Sequence, residues 1–360
     1  MRLKDIKVIV TAAGCPGAST FIRMLKDRVA ERNIHIVATD MRAEPIGRFL
    51  ADSFYQVPAA SDPAYIESLV KIVEKENPEV LFCVSSYEVP IVAANVDKLE
   101  SLGPKVIVSP LAAIRVAENK FQLYETLREN KHVNVPAYFY PKNLKEFVEF
   151  AHELGYPEKR VCFKPHVSKG SRGFRIIDDS ISRRDLLLNY KPQSLFMSMN
   201  EFVSIFEKEP DFPDFIVMEF VEGEEIDAMT LSYEGEALLV TCKTRETSRA
   251  GVVMQGEHVE RPEIVKACQE IIKAVPLQYN SGIQFKGGYL MEINPRVSTF
   301  LYQKNLIEPY LSIKLALNEI APDQVRAYQT QVQYGRRFIR YMDQVFFEYD
   351  ETGNIEFSYF

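Results

Sequence analysis

The segment Gly282-Ile283-Gln284-Phe285-Lys286-Gly287-Gly288-Tyr289-Leu290-Met291-Glu292-Ile293-Asn294-Pro295-Arg296 sets a carboxylate, two amides and a guanidinium in a short apolar background. Alternate residues of a strand share a face, so Glu292 and Asn294 point one way while Met291 and Ile293 point into a core. A three-residue loop, Lys286-Gly287-Gly288, would bring Gln284 to the same face and leave Ile283 and Phe285 on the apolar one. A two-residue Gly-Gly turn would split that polar trio. Apolar matching favours the three-residue loop. Carboxylate and amide oxygens suit a hard cation such as Mg²⁺, which takes few protein ligands beside waters and substrate phosphates. Pro295 ends the strand and presents Arg296 next to that cation. The plainer alternative, a polar face meeting water, leaves Glu-x-Asn-Pro-Arg directly after a buried strand without a reason.

A second segment, Val161-Cys162-Phe163-Lys164-Pro165-His166-Val167-Ser168-Lys169-Gly170-Ser171-Arg172-Gly173, reads as a phosphate site. A lysine ending an apolar strand buries its stem and turns its ammonium toward a cleft. The loop after it carries glycines, serines and further cations, whose backbone N–H groups can close over phosphate oxygens. No Gly-Lys-Ser/Thr opens a helix, so it is not a Walker loop. The competing reading is an exposed basic turn between two strands.

These segments need a scaffold. Near the start, Lys7–Thr11 is a short apolar strand, followed by the turn Ala13-Gly14-Cys15-Pro16-Gly17 and by Phe21, Ile22, Leu25 and Val29 at helical spacing. Strands at Ile34–Ala38, Val80–Val84 and Val106–Ser109 alternate with helices at Tyr65–Lys75 and Val89–Leu102, which predicts a doubly wound parallel sheet. The first turn, with Asp40 closing the second strand, only half matches a dinucleotide fingerprint, and a tight turn without nucleotide explains it better. From Pro136 the pattern changes to strands at Tyr138–Tyr140, Val161–Lys164, Phe174–Ile177 and Phe215–Val221, with helices at Leu144–Leu154 and Asn200–Glu207. Strands at Glu225–Tyr233 and Glu236–Thr244, a helix at Glu263–Ala274, and the pair Gly282–Phe285 and Tyr289–Asn294 complete an α+β half. A last strand at Arg337–Tyr349 and a turn at Asp350–Asn354 read as a closing hairpin.

The chain has 360 residues, 46% of them hydrophobic, with 43 Lys+Arg against 50 Asp+Glu. That is enough apolar material for two or three domains, and a net charge of −7 argues against an extended nucleic-acid surface. No apolar run approaches the roughly 18 residues that span a bilayer. Five cysteines, odd in number and never in a Cys-x-x-Cys pair, fit a reduced, cytoplasmic chain.

With these motifs in this order, the sequence resembles the ATP-grasp superfamily, in the branch of the carbamoyl-phosphate synthase large subunit. The resemblance implies a Rossmann-like domain over 1–115, an ATP-grasp small subdomain over 116–215, a C-terminal ATP-grasp subdomain over 216–320, and an extension over 321–360. It implies that Lys120, in Ala117-Glu118-Asn119-Lys120, and Lys164 reach the phosphates of ATP, with Ser168, Lys169, Gly170, Ser171 and Gly173 in the mobile loop. In Ile216-Val217-Met218-Glu219-Phe220-Val221-Glu222-Gly223-Glu224-Glu225 it implies an adenine hinge at Glu219, Phe220 and Val221, with Glu225 on the ribose. Gln284, Glu292 and Asn294 fall where the family binds two Mg²⁺ ions, with Mn²⁺ as a substitute, and Arg296 where it stabilises the transferred phosphoryl. The hairpin carrying Gln284 and Glu292 is shorter than usual for this branch.

The chemistry implied is ligation: a carboxylate takes the γ-phosphate of ATP, and an amine, or a thiol, displaces phosphate from the acylphosphate. Phosphoryl transfer is mostly positioning and charge neutralisation, which suits cations better than a nucleophilic side chain. Arg245 and Arg249 are candidates to grip the acceptor, equally explained as a charged loop; His258 and Glu257 sit nearby in sequence. The expected partners are a small carboxylate, an amino acid among them, and an amine, with a homodimer through the first lobe and neither nucleic acid nor membrane. The rival readings are a bicarbonate-phosphorylating subunit and a non-catalytic ATP-binding regulator.

Overall fold

The computed structural model describes residues 2–28, 30–168, 172–190, 194–249, 251–298, 301–350 and 355–359. Val29, the loop residues Lys169, Gly170 and Ser171, and 351–354 of the expected terminal turn therefore lie outside the described residues. The chain divides into two compact units: Met1–Ile114 with Asp227–Gly282 and Asn294–Phe360, and Arg115–Ile226 with Ile283–Ile293. Among the described residues no helix is long and apolar enough to cross a membrane.

The first unit opens with five parallel strands, β1 (Ile6–Val10), β2 (Ile34–Asp40), β3 (Ser53–Gln56), β4 (Val80–Phe82) and β5 (Lys105–Ile107), in the order β3-β2-β1-β4-β5. Both faces are covered, which is why these strands read as unbroken apolar runs. Val8, Val10, Ile36 and Phe82 pack with Phe21, Ile22 and Leu25 of α1 (Ala18–Lys26). Ile9, Val37 and Leu81 pack on the other face with Leu69 and Val73 of α3 (Tyr65–Glu76) and Val89 and Val92 of α4 (Val89–Ala93); α2 is Ile46–Leu50. The single helix expected over Val89–Leu102 is broken into α4 and α5 (Val96–Glu100), because Asn95 leaves helical geometry and its amide donates back to the Ile91 carbonyl. Asp40 closes the first turn from within: its carboxylate accepts from the N–H of Gly14 at 2.6 Å and from Arg42 Nε at 3.1 Å. A ribose partner at Asp40 would have to displace both.

The second unit holds a five-stranded sheet ordered β6-β10-β7-β8-β9, from β6 (Tyr138–Phe139), β7 (Val161–Pro165), β8 (Arg175–Ile177), β9 (Phe196–Met197) and β10 (Phe215–Glu219). Its helices are α7 (Lys120–Leu127), α8 (Leu144–Glu153), α9 (Arg183–Asn189) and α10 (Met199–Phe206), with α6 (Leu111–Glu118) leading in. A phenylalanine cluster makes its core; Phe147 stacks on Phe202 at 4.0 Å and Phe163 meets Phe215 edge-on at 5.0 Å.

A third sheet joins β11 (Glu225–Tyr233), β12 (Glu236–Thr244), β13 (Thr247–Arg249), β14 (Val252–Val259), β15 (Tyr279–Lys286), β16 (Tyr289–Asn294) and β17 (Arg337–Ile339) in the order β13-β14-β12-β11-β15-β16, with β17 on β14. Its helices are α11 (Pro262–Ala274), α12 (Glu308–Ala316) and α13 (Pro322–Ala327). The expected last strand Arg337–Tyr349 is two elements. β17 joins this sheet through Gln255–Ile339 pairing, while β18 (Val345–Tyr349) makes a separate hairpin with β19 (Ile355–Tyr359). Phe347 and Phe357 of that hairpin pack on Phe49 of α2 at 4.9 and 5.5 Å, a contact unavailable to one continuous strand.

Candidate functional site

In the second unit, three residues far apart in sequence meet at the edge strand β16. Asn119 caps α7 by accepting from the Gln122 N–H, which makes Lys120 the first helical residue, and the Lys120 N–H donates to the His166 carbonyl at 2.9 Å. The helix start is thereby tied to the stretch that leaves β7. Lys120 Nζ stands 3.8 Å from Glu292 Oε2 and 3.5 Å from the Ser168 carbonyl. Lys164, on β7, donates from Nζ to the Met291 carbonyl at 3.3 Å. Tyr124, one turn along α7, donates to the same carbonyl at 2.8 Å.

Both lysines are buried, 4% exposed for Lys120 and 7% for Lys164. Burial, followed by the charge of Lys120, pulls the Lys164 ammonium down from 10.5 to about 8. Burial also lowers Lys120, against the carboxylate of Glu292. Two crowded, poorly solvated cations beside one carboxylate are an unfavourable arrangement that an anion would relieve. Ser168 and Gly173 frame the described ends of the glycine-rich loop; Gly173 takes φ +75°, and a Cβ there would lie 2.6 Å from Pro165 Cδ.

The residues expected to form a hinge lie at the end of β10, Glu219 as its last residue and Phe220 and Val221 just after it. Glu219 Oε1 accepts from the Ala137 N–H at 2.8 Å, and the Glu219 carbonyl faces Cys162 Sγ at 3.6 Å. Lys286 Nζ lies 4.7 Å over the Phe220 ring and 3.6 Å from Glu225, so it links the two. Val221 is buried. Sequence reasoning treated Lys286 only as loop and passed over Tyr124; a lysine ending a strand at Gly-Gly, and a tyrosine on the inward face of the Lys120 helix, were the signals available.

The β15–β16 turn corrects one expectation. It has two residues, Gly287 and Gly288, at φ +54° and +84°, not three. Both positive angles are those of the tight hairpin turn that matches strand twist. A Cβ on Gly287 would sit 2.3 Å from the Glu222 carbonyl, and the Gly287 N–H donates to Glu224 O at 2.9 Å, so the hinge loop presses the turn into this form. The two-residue turn sets Lys286 opposite Tyr289, and Gln284, like Glu292 and Asn294, is half-buried while its neighbours Ile283 and Phe285 are buried. Glu292 and Asn294 share a side of β16.

In the first unit, the Arg296 guanidinium is held on three sides. Nε donates to Ser86 Oγ at 2.6 Å, Nη1 to the Val297 carbonyl at 2.7 Å and Nη2 to Asn294 Oδ1 at 3.2 Å. Ser86, which follows β4, was not foreseen; nothing local marks it. Arg245 is ion-paired through Nη1 with Asp227 at 2.9 Å, and both side chains are largely buried. Arg249 is exposed on β13, 3.9 Å from Met342 Sδ. Burial and the Lys243 charge hold the His258 ring down at about 4, so it is neutral at physiological pH, and Glu257 pairs with Arg337 at 3.2 Å.

Residues 211–337 match a family model described as ATP-grasp in the biosynthetic pathway with Ter operon, and residues 8–107 match the PylC-like N-terminal domain. The chain is similar to the carbamoyl phosphate synthase large chain of Clostridium acetobutylicum, 25% identical over 308 residues, covering 81% of this chain and 25% of that protein. It spans about a quarter of the length of the curated relatives it matches. Among solved structures, N5-carboxyaminoimidazole synthetase from Staphylococcus aureus complexed with ADP superposes with a TM-score of 0.63 at 13% identity, over 89% of this chain and 80% of that one. The biotin carboxylase domain of the Hydrogenobacter thermophilus 2-oxoglutarate carboxylase, a dimer described with MgADP, ADP and bicarbonate, gives 0.63 at 18% identity, over 92% and 73%. At these identities the likeness shows the fold: a parallel N-terminal sheet followed by an ATP-grasp fold.

Proposed function

We propose that the chain, which carries an ATP-grasp domain behind a PylC-like N-terminal domain, is an ATP-dependent ligase that activates a carboxylate as its acylphosphate and passes it to an amine. The observation that carries this reading is the meeting of Lys120, Lys164 and Glu292 at β16, where two desolvated ammonium groups await an anion. A nucleotide triphosphate supplies it. In this reading Glu219, Phe220 and Val221 hold the adenine and Glu225 the ribose. Lys120 and Lys164 neutralise the phosphates, with the loop around Ser168–Gly173 as a cover that excludes water.

Glu292 and Asn294 offer oxygen donors from one side of a strand and would hold Mg²⁺, which when bound neutralises phosphate charge. Gln284, half-buried on the neighbouring strand β15, is proposed as the third ligand of this set. Arg296, locked by Ser86, Asn294 and the Val297 carbonyl, orients the transferred group. Arg245, aimed by Asp227, and Arg249 are proposed for the acceptor carboxylate. An amino acid or small organic acid is the proposed acceptor, and a homodimer the proposed assembly, supported by the dimeric neighbour.

The test is ADP release from Mg-ATP with hydroxylamine across a panel of carboxylic acids, with Lys164→Ala and Glu292→Gln as controls. ADP plus a hydroxamate, lost in both variants, supports acylphosphate chemistry and names the acid. A second reading, phosphorylation of bicarbonate, is favoured by the relatives' name and by the bicarbonate described in the neighbour. ADP release that needs only bicarbonate would select it. Measurable ATP binding with no turnover on any acid would leave a regulatory protein, and no ATP binding would end the proposal.

A further inference from the structure

Three glutamates crowd the stretch that joins β10 to β11: Glu222, Glu224 and Glu225. Glu222 and Glu224 are exposed, and Glu222 stands 3.8 Å from Arg160. Glu225 is half-buried, and its Oε1 lies 3.6 Å from the Nζ of Lys286, the residue that ends β15. The same ammonium sits 4.7 Å over the Phe220 ring, within reach of a cation–π contact. One side chain therefore meets both the aromatic residue that follows β10 and the carboxylate that opens β11.

The backbone holds Lys286 to this task. It precedes the turn Gly287-Gly288, and the Gly287 N–H donates to the Glu224 carbonyl at 2.9 Å. A Cβ on Gly223 would lie 2.9 Å from Gly287 Cα, so the hairpin tip and the 222–225 segment approach as only glycine allows. Phe220, Glu225 and Lys286 belong to the same compact unit as Lys120, Lys164 and Glu292.

We propose that Lys286 is the positioning residue of the nucleoside half of the site: it holds the Glu225 carboxylate in one orientation for the ribose hydroxyls and offsets its charge beside a polyanion. This rests on the nucleotide reading above. A carboxylate accepts well from two hydroxyls, but its charge, with those of Glu222 and Glu224, repels a triphosphate. A cation 3.6 Å away offsets that repulsion. An ion pair whose side chains are 22% and 33% exposed adds little to folding stability, so the pair contributes orientation and charge rather than cohesion.

The test is calorimetric binding by the full chain of Mg-ATP, Mg-2′,3′-dideoxy-ATP and Mg-tripolyphosphate, for wild type, Lys286→Met, Lys286→Arg and Glu225→Gln. Wild type should favour ATP over the dideoxy nucleotide by about tenfold, the worth of hydrogen bonds to a charged acceptor. Lys286→Met should cut that preference to about twofold or less, as Glu225→Gln does, because the acceptor loses its orientation. Lys286→Arg, which keeps the charge and the reach, should retain it. Tripolyphosphate has no ribose and should bind all four proteins within about threefold, and the thermal midpoint of Lys286→Met should stay near that of wild type.

A Lys286→Met protein that keeps the wild-type preference while Glu225→Gln loses it overturns the positioning role and leaves the ribose contact standing. Equal loss of all three ligands would make Lys286 structural and overturn the role as well. A wild type that binds ATP without preferring it to the dideoxy nucleotide removes the ribose contact and this inference together, while the phosphate site stands. A wild type that binds no ATP removes the nucleotide reading itself, and this inference with it.

Discussion

Lys164 and Tyr124 donate to one and the same atom, the carbonyl oxygen of Met291, at 3.3 and 2.8 Å. An edge-strand carbonyl has two lone pairs, so both donors are accommodated. The consequence is that Lys164 can leave for a phosphate oxygen without stranding Met291, because Tyr124 stays. The residue after Met291 is Glu292, so the same pair of bonds sets the height of the carboxylate that faces Lys120.

Tyr124→Phe should therefore cost about 1 kcal/mol of stability, the value of one net hydrogen bond. It should also tighten the hold of Met291 on Lys164. Nucleotide affinity, measured by calorimetry with Mg-ATP, is expected to fall several-fold while the affinity of Lys164→Met, already lost, is unaffected by adding the second change.

The pH dependence of stability follows from Lys164. Its folded value, about 8, lies below its ordinary 10.5, so between those values the unfolded chain binds more protons and stability rises with pH. Below about 8 the cost of burying the ammonium is fully present; above 10.5 it is relieved. Lys164→Met removes that cost, and the difference in urea-unfolding free energy between variant and wild type should shrink on the order of 3 kcal/mol from pH 8 to 10.5. A constant difference across this range would contradict it.

Glu292→Gln keeps the size of the side chain and removes the charge 3.8 Å from Lys120. ATP binding without Mg²⁺ should be equal or tighter, since a phosphate no longer competes with a carboxylate for Lys120. Turnover should drop on the order of 100-fold or more, as expected when charge stabilisation of a transferring group is removed. Parallel binding and single-turnover measurements separate the two.

The two glycines of the hairpin turn should behave differently. At Gly287 a Cβ meets the Glu222 carbonyl at 2.3 Å, whereas at Gly288, φ +84°, nothing lies within 4 Å. Gly288→Asn should be nearly silent, because asparagine accepts positive φ. Gly287→Ala should lower the thermal midpoint, by about 1–3 kcal/mol in stability, and weaken nucleotide binding through the displaced hinge.

Much of the fold was legible. The strands Glu225–Tyr233, Glu236–Thr244 and Tyr289–Asn294 lie where alternation and turn residues put them, since both signals are local. The helix Glu308–Ala316 escaped because eight of its nine residues are buried, and a helix apolar on all sides has no stripe to read. β14, Val252–Val259, escaped because Gln255, Gly256 and Glu257 interrupt its apolar pattern. The hairpin turn was read as three residues because apolar matching ignores what lies across from it; the carbonyl of Glu222 decides it, and no spacing reveals that neighbour.

Residue types and their order already carry the chemistry proposed for the chain: lysines for phosphates, Gln284, Glu292 and Asn294 for a hard cation, Arg296 after a strand-ending proline. These follow from charge, donor capacity and strand alternation, which belong to each residue or its near neighbours. Which of them meet was decided by tertiary structure. Register and packing tied Arg245 to Asp227, placed Ser86 on Arg296, and closed Lys120 and Lys164 around β16. The strength of a contact depends on distance and burial, and for residues far apart in the chain both are set by the whole fold.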